Sequence, residues 1–292
     1  MQHDELLIGT MLDGMARWVA IRTTDTVEEA RRRHGLSPVA TAALGRLLTG
    51  TLILASSLKS DESVTLRLLG DGPLKGVVAV GNAQGEVRGY VHEPLVDLPL
   101  KDSGKLDVGL AVGRGELAVS RSLQNGEVYT GLVPMVSGEI AEDLVQYLLT
   151  SEQIPSALHL GVVVEKDYHV AGAAGLLIQP LPGATEEDIQ AIERQLGQLR
   201  VGISELAAQS QSVDEMLDRL IGPLPYHVLE RREVGFTCNC SKERLSDTLV
   251  SIGKNGIADL ISDGKAEMVC HFCNDHYQFT LEELQQISRD AE

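Results

Sequence analysis

Over the first 180 residues, apolar and polar positions follow two periods. Short runs such as SVTLRLL, GVVAVG and EVRGYV read as strands, and Asn82-Ala83-Gln84-Gly85 supplies the turn between the last two. Gln124-Asn125-Gly126 joins GELAVSRSL to EVYTGLVPM, and Lys166-Asp167 joins ALHLGVVVE to YHVAGAAGLLIQ, as further hairpins. Other stretches carry helical punctuation. Thr26 with Glu29 forms a capping-box pair that opens a short helix ending at Gly35. Ser37-Pro38 reads as N-cap and first position of PVATAALGRLLTGTLILASSL. EIAEDLVQYLLT is a further helix, with Ser137 as its expected N-cap. Antiparallel hairpins mixed with helices predict an α+β layer fold: a mostly antiparallel-sheet N-terminal body with packed helices over residues 1–180.

The pattern changes after PLPG at Pro180–Gly183. Thr185 with Asp188 caps a helix whose apolar positions are Ile189, Ile192, Leu196, Leu199, Ile203 and Leu206. Their spacings alternate between three and four, a heptad stripe. Gly197 and Gly202 soften it by about 1 kcal/mol each relative to Ala. Ser212 with Glu215 opens a second, shorter helix that stops at Gly222-Pro223. Residues 181–229 thus read as an amphipathic helical linker. Such a stripe is marginal alone in water and must lie on something.

Residues 230–292 read as a small C-terminal module. Ser241 caps SKERLSDTLVSIG, and IADLIS follows as a short helical piece. EMVCHFCNDHYQFT reads as strand, cysteine-bearing knuckle and strand, and Thr280 with Glu283 caps LEELQQI. The three phenylalanines of the chain, Phe236, Phe272 and Phe279, all fall here and are expected to form a small separate core.

The four cysteines of the protein also fall here: Cys238, Cys240, Cys270 and Cys273. A unit of about 60 residues rarely has enough core to stand without a staple. Four thiolates around one Zn²⁺ would provide one, because zinc takes tetrahedral sulfur and nitrogen ligands. The 29 residues between Cys240 and Cys270 let the two halves fold back on each other. His271 and His276 could compete as ligands. Two static disulfides, or a thioredoxin-like CHFC centre, are the alternatives to a metal site. A closed Cys₄ shell leaves no open position for substrate, so zinc hydrolysis and enzyme activity are not expected. Bound thiolates stay oxidisable, and loss of zinc should unfold a module this small.

Composition narrows the function classes. The 25 basic and 42 acidic residues give a net charge of −17, which argues against a main role on nucleic acid or on an anionic membrane. The start, MQHDELLIGT, shows no cationic segment followed by an apolar run, so no secretory leader is expected. LLTGTLILASSL is interrupted by polar residues and falls short of a membrane span. The expected location is cytoplasmic. In the body, GDGPLKG lacks the Lys-Ser/Thr pair of a phosphate loop and reads as a turn. His34, His92, His159 and His169 are scattered, and the basic ARRRH reads as a solvated helix end.

FTCNCSKERL and VCHFCNDHYQFT, with RRRHGLSPVATAALGR and VSGEIAEDLVQYLLTSEQIPS in the body, resemble the heat shock protein 33 family of redox-regulated bacterial holdase chaperones. The resemblance runs essentially end to end, with no departure at the four cysteines. It implies one zinc per chain in the reduced, inactive state, held by Cys238, Cys240, Cys270 and Cys273. It further implies that oxidation pairs Cys238 with Cys240 and Cys270 with Cys273, releases zinc, and unfolds the module and linker. The exposed apolar surface would then hold unfolding client proteins without ATP, in a form that tends to be a homodimer. A zinc-ribbon-like adaptor and a thiol oxidoreductase are the rival readings.

Overall fold

The computed structural model describes residues 3–199, 201–251, 253–262 and 265–290. The chain forms two compact units, Met1–Thr237 and Cys238–Glu292. The first begins with β1 (Glu5–Met11), β2 (Ala16–Arg22), α1 (Thr24–His34) and α2 (Pro38–Ala55). It continues with β3 (Ser63–Gly70), β4 (Val77–Asn82), β5 (Glu86–Val91), α3 (Val108–Val112), β6 (Gly115–Ser122) and β7 (Val128–Pro134). Then come α4 (Ala141–Thr150), β8 (Ala157–Val164), β9 (Val170–Pro180), α5 (Glu186–Gly197), α6 (Ile203–Gln209) and α7 (Val213–Ile221). β10 (Tyr226–Glu233) and β11 (Gly235–Phe236) complete it.

The strands form two sheets. One has the order β10-β1-β2-β9-β8 and is antiparallel throughout. The other has the order β11-β5-β4-β3-β6-β7 and is antiparallel except for the short β11–β5 pair. The α+β architecture expected from the hairpins is therefore present, and all three predicted hairpins are formed.

Helix α2 lies between the sheets and packs on β3, β4 and β5 on one side and on β2, β8 and β9 on the other. This explains its composition. A helix hydrophobic all round is a buried helix, and small residues bring the flanking layers close. A Cβ on Gly50 would lie 2.6 Å from the Leu144 side chain. Ser37 accepts the Ala40 N–H at 3.3 Å as the predicted N-cap, and Pro38 sits in the first turn. Among the described residues α2 is the one helix long and apolar enough to cross a membrane, and it is buried in the core.

The opposite face of the first sheet is covered by α5, α6 and α7. Met216, Leu217, Leu220 and Ile221 of α7, with Ile203, Leu206 and Ala207 of α6, bury against Leu7, Met11, Trp18, Ala20, Leu176 and Ile178. β9 is accordingly buried along nearly its whole length, as expected for a strand covered on both faces.

Several local expectations are corrected. The heptad stripe is not one helix: α5 stops at Gly197 and α6 starts at Ile203, so the break coincides with the two softening glycines. Arg200, inside this break, lies outside the described residues. Thr26 is not a cap. Helix α1 begins at Thr24, and Asp4, at the start of β1, accepts both the Thr26 N–H at 2.6 Å and the Thr26 hydroxyl at 2.7 Å. Ser137 is not the cap of α4 either. Buried Asp143 accepts the N–H groups of Val136, Ser137 and Gly138 on one oxygen and of Ile140 on the other. In both places a carboxylate, the stronger acceptor for several donors at once, displaces the hydroxyl. Phe236, expected in the C-terminal core, instead packs on the core between the two large sheets, because β11 extends β5 there. The arginines of ARRRH do form a solvated helix end, paired to Glu28 and Glu29.

Candidate metal centre

The second unit contains α8 (Lys242–Ser251), α9 (Gly253–Ser262), β12 (Lys265–Val269), β13 (His276–Thr280) and α10 (Leu281–Asp290). Its core is small: among the described residues, Leu249, Ile257, Ala266, Phe279, Leu284 and Ile287 form the buried apolar cluster. Ser241 accepts the Arg244 N–H at 3.3 Å, and Thr280 accepts the Glu283 N–H at 3.3 Å, so both predicted caps are in place. Lys242 bonds Glu283 at 2.6 Å and lies 5.2 Å from the Phe279 ring centre, tying α8 to α10.

Cys270 and Cys273 sit on the turn between β12 and β13. Asn274 N–H donates to Cys270 O at 2.7 Å, and Cys270 N–H donates to Asp275 O at 2.9 Å. Asn274 takes φ +60°, a left-handed conformation that Asn tolerates well. This closes a tight knuckle that turns two sulfurs to one side. Cys238 and Cys240 lie on the extended segment before α8, where Arg244 donates to the Asn239 carbonyl at 2.9 Å and pins the residue between them.

The four sulfurs all lie within 4.8 Å of one another. Cys238 Sγ is 3.8 Å from Cys270 Sγ, and Cys240 Sγ is 3.2 Å from Cys273 Sγ. A tetrahedron with Zn–S of 2.3 Å has sulfurs about 3.8 Å apart, so the donor set fits zinc in both number and spacing. Cys273 is 1% exposed and Cys270 8%, whereas Cys238 and Cys240 are half-buried. None of the four is disulfide-bonded.

The competing ligands fall outside the cluster. His276 is exposed and lies 3.2 Å from Glu267, and His271 is exposed on the knuckle. The thioredoxin-like alternative fails on geometry, because its two cysteines sit on a β-hairpin turn and not at a helix N-terminus.

The family described as Hsp33 protein matches residues 4–280. The 33 kDa chaperonin of Desulforamulus reducens is 46% identical over 291 residues, covering 99% of each chain. The protein of the same name from Bacillus subtilis is 45% identical over 284 residues, covering 97% of each. The crystal structure of the Thermotoga maritima 33 kDa chaperonin, a heat shock protein 33 homologue, superposes with a TM-score of 0.91 at 38% identity and covers 99% of both chains. This chain belongs to the Hsp33 family.

The thiols of this Hsp33 family member are electrostatically unequal. Burial pushes the Cys273 thiol well up, and burial likewise raises Cys238. Burial would raise Cys240 as well, but hydrogen bonds from Tyr277 and from the other cysteines outweigh it, and its net shift is downward. A cluster in which Cys240 readily carries charge while Cys238 and Cys273 resist it is suited to a cation, which would relieve the repulsion between bound thiolates. Backbone N–H groups also face the sulfurs: that of Asp275 donates to Cys273 and that of Cys240 to Cys238.

Tyr277 was not among the residues the sequence singled out. Its hydroxyl stands 3.2 Å from Cys240 Sγ and 3.4 Å from the Cys240 carbonyl oxygen. Alternation along HYQFT puts Tyr277 and Phe279 on one face of β13, so the side facing the unit's core was legible. Its partner was not, since Cys240 is 37 positions away.

Proposed function

We propose that this chain is an ATP-independent holdase chaperone, held inactive by zinc on Cys238, Cys240, Cys270 and Cys273 and switched on by their oxidation. The observation that carries the reading is the convergence of four sulfurs within 4.8 Å in a unit whose own core, among the described residues, is six buried apolar side chains. The names of the relatives support the chaperone part of it.

Zinc, when bound, joins the two cysteine pairs and contributes folding free energy on the order of 10–16 kcal/mol in small zinc-finger peptides. The protein's own groups do the rest. The knuckle and the pinned Asn239 segment hold the sulfurs convergent. Each pair of thiolates passes two electrons to one peroxide: one sulfur attacks oxygen, hydroxide leaves, and the second sulfur displaces hydroxide from the resulting sulfenic acid. Two peroxides thus yield two disulfides and four hydroxides. Every sulfur pair is within reach, so the pairing of Cys238 with Cys240 and of Cys270 with Cys273 rests on the family resemblance and on their nearness in sequence.

Residues 230–292 form the switch in this reading, 181–229 the releasable linker and 1–180 the chaperone body. Without its metal, the small unit unfolds. The linker is continuous in sequence with it, and its two glycine-flanked helices keep little stability once undocked. Release uncovers Leu7, Met11, Trp18, Leu176 and Ile178, together with the apolar faces of α6 and α7, as a surface for unfolding clients. The activated form is a homodimer, acts in the cytoplasm, and, given its net charge of −17, does not depend on nucleic acid or membrane.

The test is paired: zinc content and thiol count before and after peroxide, on samples also assayed for suppression of client aggregation. Oxidation should release one zinc, consume four thiols and produce activity. An oxidised, zinc-free protein that stays folded and leaves aggregation unchanged would refute the proposal.

A further inference from the structure

We propose that Arg22 is a cation buried without a counter-charge beneath the linker, and that its lost hydration keeps the docked linker close to release. The inference rests on the linker-release reading above and names a residue of the body that tunes it.

Alternation along β2 places Arg22 on the face that carries Ala16, Trp18 and Ala20, which the linker helices cover. Val19 and Ile21 face the core between the sheets instead. Across the ladder Arg22 stands opposite Ala174, on the same covered face. Two residues before Ala174 is Gly172, against which the α6 backbone rests. Arg22 is only 6% exposed. Its Nε donates to the Thr24 hydroxyl at 3.3 Å, whereas its Nη1 is buried with no hydrogen-bond partner.

The carboxylates nearby are engaged elsewhere. Glu5 lies one step beyond the Leu6–Ile21 pair of the β1–β2 ladder, and so beside Arg22, but its carboxylate is turned to Arg231 at 3.4 Å. Asp214 of α7 also goes to Arg231. Among the described residues Arg22 forms no ion pair. The linker brings no hydroxyl to it either: Ser210, at the end of α6, is buried, and its own hydroxyl is likewise without a partner.

A guanidinium loses hydration on burial, and without a counter-charge nothing repays that loss. An unmade hydrogen bond adds to the cost. Both are relieved when the linker lifts off and water reaches the group. Arg22 and Arg231 therefore act in opposite senses on the same helices. The Arg231–Asp214 pair fastens the linker, and Arg22 pushes against it. In the docked state the apolar contacts of α6 and α7 outweigh the penalty.

The experiment compares amide hydrogen exchange in the reduced, zinc-loaded, full-length protein with that in its Arg22→Met and Arg22→Lys variants. Met keeps an unbranched stem and removes the charge; Lys keeps the charge. Exchange of the α6 and α7 amides reports how often the linker undocks. Arg22→Met should slow it by about tenfold or more, the effect of relieving one unpartnered buried charge. Arg22→Lys should not slow it, and strands β3–β6 should exchange as in wild type. Under peroxide the Met variant should lose zinc and thiols at the wild-type rate, yet gain aggregation-suppressing activity more slowly. Exchange in α6 and α7 that is unchanged or faster in Arg22→Met overturns the proposal. So does failure of that variant to fold, since removing an uncompensated charge should stabilise. Equal slowing by Lys overturns it as well, because the charge would then be immaterial. Equal slowing in β3–β6 does the same, because the whole unit would then bear the penalty and not the linker contact. Wild-type protein whose α6 and α7 stay protected after oxidation and zinc loss would instead refute the linker-release reading. The comparison in reduced protein does not depend on that outcome, so the two failures are distinguishable.

Discussion

Arg231 grips Asp214 with both terminal guanidinium nitrogens, at 2.9 and 2.5 Å, and so fastens strand β10 to helix α7. Glu5 of β1 approaches the same guanidinium at 3.4 Å. Tyr226, also on β10, reaches Asp218 of α7 at 2.5 Å. The last linker helix is thus bound to the sheet by polar contacts as well as by its apolar face. The Arg231 hydrogen bonds hold the Asp214 carboxyl below the usual carboxylate range. A depressed carboxylate contributes stability above its unfolded value, near pH 4, and loses it as pH falls through the lower folded value. Both partners are nearly half exposed, so solvent screening keeps the contribution to about 0.5 kcal/mol. Arg231→Ala should therefore raise hydrogen exchange in α7 slightly at neutral pH. The difference from wild type should begin to shrink below about pH 4 and disappear once pH has fallen through the folded value, where Asp214 is protonated in both states.

Asp4 predicts a pH dependence of the opposite sign. It is 5% exposed, and burial raises its pKa to about 6 in spite of the two hydrogen bonds from Thr26. Its second oxygen has no hydrogen-bond partner. A carboxyl whose folded pKa lies above the unfolded one favours folding when protonated. Its contribution is fully present below about pH 4 and is lost as pH rises through about 6. At one pKa unit per 1.36 kcal/mol, ionised Asp4 costs on the order of 2–3 kcal/mol at neutral pH. Asp4→Asn keeps an acceptor for Thr26 and cannot ionise. Its stability advantage over wild type in urea unfolding should be largest at pH 7.5 and should shrink as pH falls toward 4. Most other carboxylates titrate alike in both proteins, so the difference isolates Asp4. A constant offset across this range would show that Asp4 does not titrate there.

What was legible in the sequence divides by range. The hairpins at Asn82–Gly85, Gln124–Gly126 and Lys166–Asp167, the Ser37 and Ser212 caps, and the strand–knuckle–strand around Cys270 and Cys273 are all local. Turn chemistry and periodicity determine them over a few residues, and they formed as expected. Asp4 capping α1 from 22 residues away and Phe236 joining the large core are tertiary, and no local pattern encodes them. Asp143 shows the limit of a local rule. Ser137 is the N-cap that the local pattern predicts for α4, but a buried carboxylate six residues on collects its N–H instead. At the candidate site, residue types and spacing identified all four sulfurs. The hydroxyl that touches one of them became visible only once β13 was placed beside the Cys238–Cys240 segment.

Removal of one ligand should separate the two units energetically. Cys273 is the most buried of the four sulfurs, and its knuckle depends on the bonds of Cys270 with Asn274 and Asp275. Cys273→Ser substitutes a hard oxygen donor for a thiolate and should lower zinc occupancy sharply. The second unit has a small core of its own, six buried apolar side chains among the described residues, so its helices α8–α10 should lose protection from hydrogen exchange. Strands β3–β6, with α2 between the sheets, have their own core and should keep theirs. Excess chelator applied to the wild-type protein should reproduce the pattern. Loss of protection throughout both units would show that the first unit also depends on the metal.

Gly172 offers a way to free the linker without touching a cysteine. Helix α6 lies so close to β9 that a Cβ on Gly172 would stand 2.3 Å from the Ser204 carbonyl oxygen and 2.7 Å from the Ala208 nitrogen. Both are backbone atoms of a helix, so no side-chain rotation relieves the clash. Across the ladder, a Cβ on Gly161 of β8 would meet the Ser204 side chain at 2.8 Å. These two glycines form the seat of α6, and the seat has no room for a methyl group. Gly172→Ala should push α6 outward, at a cost of about 1–3 kcal/mol in overpacking. The strand itself should remain, since Ala is tolerated at an ordinary strand φ. Protease cleavage within residues 198–212 should accelerate, and an environment-sensitive apolar dye should bind the newly uncovered face around Trp18 and Leu176. Zinc content and thiol count should stay at wild-type values. If linker release is what activates the chaperone, this reduced, zinc-loaded variant should suppress aggregation with no oxidant present. Faster cleavage and dye binding without gained activity would instead locate the client surface away from the α6-covered sheet.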